Sequence, residues 1–516
     1  MPPRATANVT STGIGPVDLG ALIIVAVLGL GHLAYPFGGD QALFVIGALD
    51  LSQGAVLYRD FWDFKQPGIF AFYYAAGSLF GFEEVGTHAF ELGWMLMLSV
   101  VLIVTMKRWL QSSLIASLAP LLTVGHYYVV SEPWHLTQVE GLVGLPMYLA
   151  LWYASTPASS ARAWRLYVSG LMGGLVLLFK FMFLPILLAF WLTAAVYTVP
   201  RRESVLRGVA SVVVPIIVGL LGPLVVTIAY FAWTDTLGLA YWTWFDFPRQ
   251  VVKEIPAPSA WRLLGALEWF AHRFSWLLAL GAIGGYVALR QRADAMTVNL
   301  LWWCGLGGAI ILAQVQSWWQ YHFHLLFVPL GLLAAIGIAS VRTWIRGADA
   351  FMAARWGTVV MLLALALLLS PAWGLVARKA VPLVQERLAW SRESRLRYQQ
   401  AVSGEYATVL SEVAFLREPG SLPGRIYVFG NPLYYYLSGR GQAIPLNGWF
   451  MEMAPSALWQ QVAAQMEEVR PPYIFVAKIE AELIKKHSPK LTTLLHTAYL
   501  PLRGSQAGRW YVRAIP

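Results

Sequence analysis

Apolar residues run through this chain in long blocks separated by short polar breaks. Blocks able to cross about 30 Å of hydrocarbon at about 1.5 Å per residue fall near 17–36, 88–106, 113–130, 135–154, 166–179, 181–199, 208–232, 269–289, 297–315, 323–341 and 357–376. As one helix, 166–199 would extend about 50 Å, far beyond the bilayer, so the chain is divided at Lys180. The pattern predicts a polytopic α-helical membrane protein of about 11 transmembrane helices, two of them short.

With the N-terminus inside, alternate loops carry Lys107 and Arg108, Arg162 and Arg165, Arg201, Arg202 and Arg207, Arg290 and Arg292, then Arg342, Arg346 and Arg355. The opposite loops collect the acids, among them Asp40, Asp50, Asp60, Asp63, Glu83, Glu84, Glu132, Asp235, Asp246 and Glu254. Positive charge marks the cytoplasmic side. The first span ends in HLAYPFGGD, with no small-residue cleavage site, and reads as an uncleaved anchor. An odd number of spans puts the C-terminus outside.

Two segments exceed simple connections. The outer segment 37–87 holds two helical patterns. Ala42, Val45, Ile46 and Leu49 fall on one face of the first, and Ile69, Phe72, Tyr73, Ala76 and Phe80 repeat along the second behind Pro67. Both are expected to rest on the outer leaflet. The remainder, 377–516, turns polar and opens with a charged helical stretch. Strand-like RIYVFG, a helix over 455–469, strand-like YIFVAK, a helix over 480–487 and a terminal RWYVRAI then predict a small extracytoplasmic α/β domain. The division expected is 1–376, a transmembrane domain that includes the outer segment, and 377–516.

Composition agrees: 58% of residues are hydrophobic and 12% charged, too little polar surface to clothe a soluble globule of 516 residues. The formal charge of +10 is scattered in short clusters between apolar blocks, which suits topology rather than nucleic acid. A single cysteine, Cys304, excludes an intramolecular disulfide. The 24 Trp suit interfacial belts and sugar-stacking surfaces alike.

The outer segment reads YPFGGDQALFVIGALDLSQGAVLYRDFWDFKQPGIFAFYYAAGSLFG. In Asp40, then Gly54, Tyr58 and Asp60, then Lys65 and Pro67, then Phe80 and Gly81, it resembles the first external loop of the GT-C superfamily of polyprenyl-phosphate-sugar glycosyltransferases. That group includes the protein O-mannosyltransferases and the lipid A aminoarabinose transferase. The resemblance implies a GT-C-like transmembrane domain and a sugar transferred from a polyprenyl phosphate. It makes Asp40 the catalytic carboxylate and Lys65 a donor-phosphate contact.

The residues support these roles on their own chemistry. A carboxylate beside an acceptor hydroxyl acts as base or hydrogen-bond acceptor, while Asp40 is also suited to cap the helix that begins there. Lys65 can pair with a lipid phosphate or snorkel at the interface. Tyr58, Asp60 and Asp63 are candidates for substrate contact, the two acids also for local caps.

Glu132, in SEPWHLT, resembles a second acidic position of the aminoarabinose transferases and is a candidate catalytic or positioning group. Glu140 falls about 10 Å along a helix starting near Pro133, where a carboxylate needs a wet cavity or a partner. His135, Gln138 and Glu140 make that face polar, for substrate or for an interhelical network. Lys180, His322 and His324 are candidate donor-phosphate contacts, with Trp319 and Tyr321 set for sugar or prenyl chain. No cofactor is called for. A divalent metal is compatible with two histidines and a carboxylate, but an i, i+2 pair on a helix points in different directions.

These readings make the chain an enzyme of the cytoplasmic (inner) membrane. Its partners would be a polyprenyl-phosphate sugar donor, a glycan, lipid or protein acceptor, and membrane lipids. Two other readings use the same features: a lipid-linked glycan ligase or polymerase, and a transporter or flippase with Glu140 and Lys180 lining a path. The sequence shows no paired inverted halves for the latter.

Overall fold

The computed structural model describes residues 13–155, 162–198, 205–290, 294–346 and 371–514. The chain forms two compact units. The first comprises Met1–Leu33, His88–Val225 and Ser259–Leu388; the second comprises Ala34–Thr87, Val226–Pro258 and Ala389–Pro516.

Among the described residues, five helices are long and apolar enough to cross a membrane: Glu84–Leu110, Ser113–Val130, Gly208–Trp233, Ala295–Ala313 and Gln320–Val341. Shorter apolar helices cover Pro16–Leu30, Ala163–Phe179 and Phe181–Tyr197. The break expected at Lys180 is present, its backbone extended at φ −163° and ψ 115°. Most of the block at 357–376 lies outside the described residues.

The helix expected over 135–154 is corrected. One 3₁₀ turn covers Pro133–His135, Thr137 adopts a left-handed φ of 55°, and helix resumes only at Val139–Leu142 and Gly144–Ser155. A β-branched residue in that conformation interrupts the i to i−4 ladder, so Glu140 stands in the first turn of a short helix, not deep along a long one.

Within the first unit, the helices Ala260–Arg290 and Phe327–Arg346 touch backbone to backbone. A Cβ on Gly284 would lie 1.9 Å from the Leu333 carbonyl oxygen, and one on Gly337 would lie 2.3 Å from that of Leu280. Such glycines let apolar helices pack by dispersion where no hydrophobic force drives them together. Near one end of Pro16–Leu30, the buried Asp18 pairs with Lys107 and accepts from Ser117 Oγ at 2.7 Å. This ties three helices at a polar point.

In the second unit, the two helices of the outer segment form as Gly39–Ser52 and Pro67–Phe80. The first is not the one-faced helix expected. Gly39 to Ala48 and Asp50 are buried, Phe44 and Gln41 among them, while Leu49 is exposed. It is enclosed because it packs on Pro67–Phe80 and on the tail helix Leu433–Ser438. In Pro67–Phe80 the expected face is buried except at Phe80, which is exposed.

The tail forms a four-stranded sheet of β1 (Tyr427–Phe429), β2 (Tyr473–Ala477), β3 (Tyr499–Gly504) and β4 (Gly508–Arg513), in the order β1-β2-β4-β3. β1 and β2 are parallel; β4 pairs antiparallel with β2 and β3. The helices Ser456–Val469 and Lys478–His487 match expectation. β3 was not anticipated. Its exposed residues and Pro501 disguise an edge strand.

Candidate functional site

Asp40 lies in the first turn of Gly39–Ser52 and is 8% exposed. It is not the cap: Gly38 holds that position, and its N–H donates to Gln41 Oε1 at 2.6 Å. Asp40 Oδ1 instead accepts from Trp449 Nε1 at 2.9 Å. The preceding glycine permits this contact, since a Cβ at Gly39 would stand 2.7 Å from the Trp449 ring.

The ammonium of Lys65 lies 4.6 Å from the Phe64 ring centroid, 5.1 Å from Phe44 and 5.5 Å from Phe450. Ring faces attract a cation, so the lysine is held among aromatics rather than trailing into an interface. Trp449 and Phe450 therefore bring consecutive tail residues to Asp40 and Lys65. Phe450 has φ 60°, a costly conformation for a bulky residue. Sequence reasoning missed both tail residues, because LNGWF carries no local signal linking it to a segment some four hundred positions earlier.

Asp63 and Asp60 act locally, whereas Glu84 accepts from the tail hydroxyls of Tyr406 at 3.0 Å and Tyr436 at 2.6 Å. Asp63 is buried, accepts the Lys65 N–H at 2.7 Å, and burial raises its carboxyl above the usual range. Asp60 is bound by the Arg59 guanidinium at 2.9 Å, which lowers its carboxyl, and accepts the Val56 N–H at 2.8 Å. Tyr58, at φ 70°, donates to the Lys65 carbonyl at 2.7 Å, accepts from Trp244 Nε1 at 2.8 Å and stacks on Phe231. Gly54, at φ 93°, makes the preceding turn. The Gly-Tyr-Asp stretch thus fixes the backbone that presents Lys65.

In the first unit, Lys180 Nζ donates to Glu140 Oε1 at 2.7 Å and to Gln314 Oε1 at 2.6 Å, and His322 Nε2 stands 3.8 Å from the same Glu140 oxygen. Three of the expected residues are therefore one cluster, with Gln314 an unanticipated member. Glu132 receives Arg273 Nη2 at 3.2 Å, and its backbone N–H donates to His135 Nδ1 at 3.1 Å.

His324 is buried against Tyr127, His135 and Trp269, away from the partner of His322, because both sit on the 3₁₀ helix Gln320–Leu326 and project differently. Among the described residues, no three His, Cys, Asp or Glu side chains gather as metal ligands. Trp319 carries the Arg262 guanidinium 4.4 Å from its ring centroid, and Tyr321 meets Trp134 edge-on at 5.9 Å.

Lys379 was also missed. It donates to the carbonyls of Tyr128 at 3.1 Å, Val129 at 3.2 Å and Ser131, and so closes the C-terminal end of the Ser113–Val130 helix. In sequence it reads as one cation of a charged stretch.

No protein-family model matches the sequence, and no curated protein matches it in sequence. In structure, the chain is similar to ArnT from Cupriavidus metallidurans bound to undecaprenyl phosphate, with a TM-score of 0.65, 13% identity, and coverage of 98% of this chain and 99% of that one. It is similar to apo ArnT from the same organism at a TM-score of 0.58 and 13% identity, covering 96% and 97%. The archaeal oligosaccharyltransferase AglB from Archaeoglobus fulgidus, in complex with an inhibitory peptide and a dolichol-phosphate, gives a TM-score of 0.46 at 13% identity, covering 97% and 75%. At such identity the likeness is one of fold: the chain is an integral membrane protein with the GT-C fold, shared with ArnT along nearly its whole length.

Proposed function

We propose that the chain is a membrane glycosyltransferase that moves a sugar from a polyprenyl-phosphate-linked donor to an acceptor outside the cytoplasmic membrane. The observation that carries this reading is the geometry at Asp40: a buried carboxylate aimed by the Trp449 indole rather than engaged in capping. The fold shared with ArnT, whose structure holds undecaprenyl phosphate, supports the choice of donor.

The chemistry needs little from the protein beyond placement and charge. A phosphate leaves as a stable anion, so the protein must orient the acceptor hydroxyl, take its proton and hold the departing charge. Asp40 takes the proton. Lys65, half-buried among Phe44, Phe64 and Phe450, holds phosphate charge. Within the first unit, Lys180 and His322, gathered on Glu140, are candidates for an anionic group of a substrate, and Glu132, with Arg273, for positioning one. Attack from the face opposite the phosphate inverts the anomeric centre. The distribution of basic residues between the loops supports an N-terminus inside and a tail outside.

The test is incubation of purified protein with labelled polyprenyl-phosphate sugars and a membrane extract, wild type beside Asp40→Asn. Loss of about a hundredfold or more in transfer is expected of a missing general base. Unchanged transfer removes Asp40 from the mechanism.

A further inference from the structure

The tail holds an open surface pocket of about 840 Å³, lined by the exposed side chains of Glu467, Arg470, Lys490, Thr493, Thr497 and Arg513 and by apolar neighbours. None of these residues takes part in the chemistry above. The volume lies within the range of small-molecule sites, roughly 300 to 1,000 Å³.

Its charge is unbalanced. Lys490 Nζ pairs with Glu467 Oε2 at 2.5 Å, and this one lining carboxylate, its pKa lowered by Lys490 and also by Arg470, is set against the three cations Arg470, Lys490 and Arg513. Each guanidinium is anchored by one donor to backbone: Arg470 Nε to the Glu467 carbonyl at 3.1 Å, and Arg513 Nη1 to the Arg470 carbonyl at 3.0 Å. Their remaining N–H groups have no acceptor among the described residues. Arg470 ends the Ser456–Val469 helix in a left-handed conformation, φ 45° and ψ 66°, where glycine or asparagine is usual. Capping the helix accounts for one hydrogen bond of Arg470; it does not account for two anchored forks and two threonines around one pocket.

We propose that this pocket binds an anionic saccharide, a sugar bearing phosphate or carboxylate. Guanidinium forks take such groups in a bidentate geometry that a lysine cannot supply. Thr493 offers a hydroxyl to the sugar, and Ala463 and Leu494 give its C–H face an apolar wall. That this saccharide belongs to the acceptor rests on the transferase reading; that it binds does not.

The test is direct binding to the full-length protein in detergent, without donor, using glucose 1-phosphate, glucuronic acid, glucose and inorganic phosphate. Glucose 1-phosphate or glucuronic acid should bind and glucose should not. Arg470→Ala and Arg513→Ala should each weaken binding by about tenfold, the scale of a lost charge-assisted hydrogen bond. Glu467→Gln should tighten it, an effect of opposite sign that misfolding cannot imitate. Inorganic phosphate binding as well as glucose 1-phosphate, or arginine variants binding like wild type, overturns the proposal. A chain that transfers no sugar yet binds glucose 1-phosphate through both arginines keeps this inference and loses the transferase reading.

Discussion

The indole of Trp449 donates to Oδ1 of Asp40 at 2.9 Å, across 409 positions of sequence. Replacing Trp449 with Phe keeps an aromatic side chain but removes the N–H together with the six-membered indole ring that lies against Gly39. Transfer should fall by at least about tenfold, the loss of one hydrogen bond to a charged group, at temperatures where the variant remains folded. Steady-state rates beside thermal unfolding check this; full activity would mean that Asp40 needs no such partner.

Gly39→Ala attacks the same relationship from the other side. The added methyl would sit 2.7 Å from the indole, so either the ring or the helix start must shift. Transfer should fall at least as far as in Trp449→Phe, and the double variant should lose less than the sum, because both changes break one contact.

Lys65→Met keeps a long apolar stem among Phe44, Phe64 and Phe450 while removing the charge. Donor affinity should drop by about tenfold and stability should change by no more than about 1 kcal/mol, the scale of an exposed cation–π contact. Unchanged affinity for a labelled polyprenyl-phosphate sugar would make the lysine a packing element.

Glu140 and Lys180 should behave as one unit. Removing either partner of a buried pair costs on the order of 3 kcal/mol, because the other charge stays desolvated. Glu140→Gln and Lys180→Met should each lower the unfolding midpoint in detergent, and the double variant should recover part of the loss. Strict additivity would show that the pair is not coupled.

The tail carries its own pH dependence at Glu480. Burial raises this carboxyl to about 8, with Glu452 adding to the effect, against a usual value of 4.5. Between those values the folded chain holds a proton that the unfolded chain has released. Stability is therefore fully present below about 4.5 and is lost as pH rises through about 8. Glu480→Gln keeps the shape without the titration and should stabilise the tail at pH 9 by on the order of 2 kcal/mol. The gap between variant and wild type should widen from pH 5 to pH 9; a constant gap would exclude Glu480 as its source.

Much was legible in the sequence because the pattern and the cause are both local. Apolar blocks mark membrane helices, since a spanning backbone must satisfy its own hydrogen bonds. The split at Lys180, the helix behind Pro67 and the tail strands Tyr427–Phe429 and Tyr473–Ala477 follow from the same short-range rules. Asp40 and Lys65 stood out because the outer segment resembles the first external loop of the GT-C superfamily, and that resemblance gives them their roles.

Tertiary structure alone decided what those groups meet. The backbone turn at Thr137 moved Glu140 to the start of a short helix, beside Lys180 and His322. Packing closed Gly39–Ser52 on the face expected to rest on lipid, and it brought Trp449 and Phe450 to the two residues the sequence had singled out. A side chain's type and helical phase are properties of its neighbours in the chain; its partner is set by how distant segments pack, and no periodicity records that.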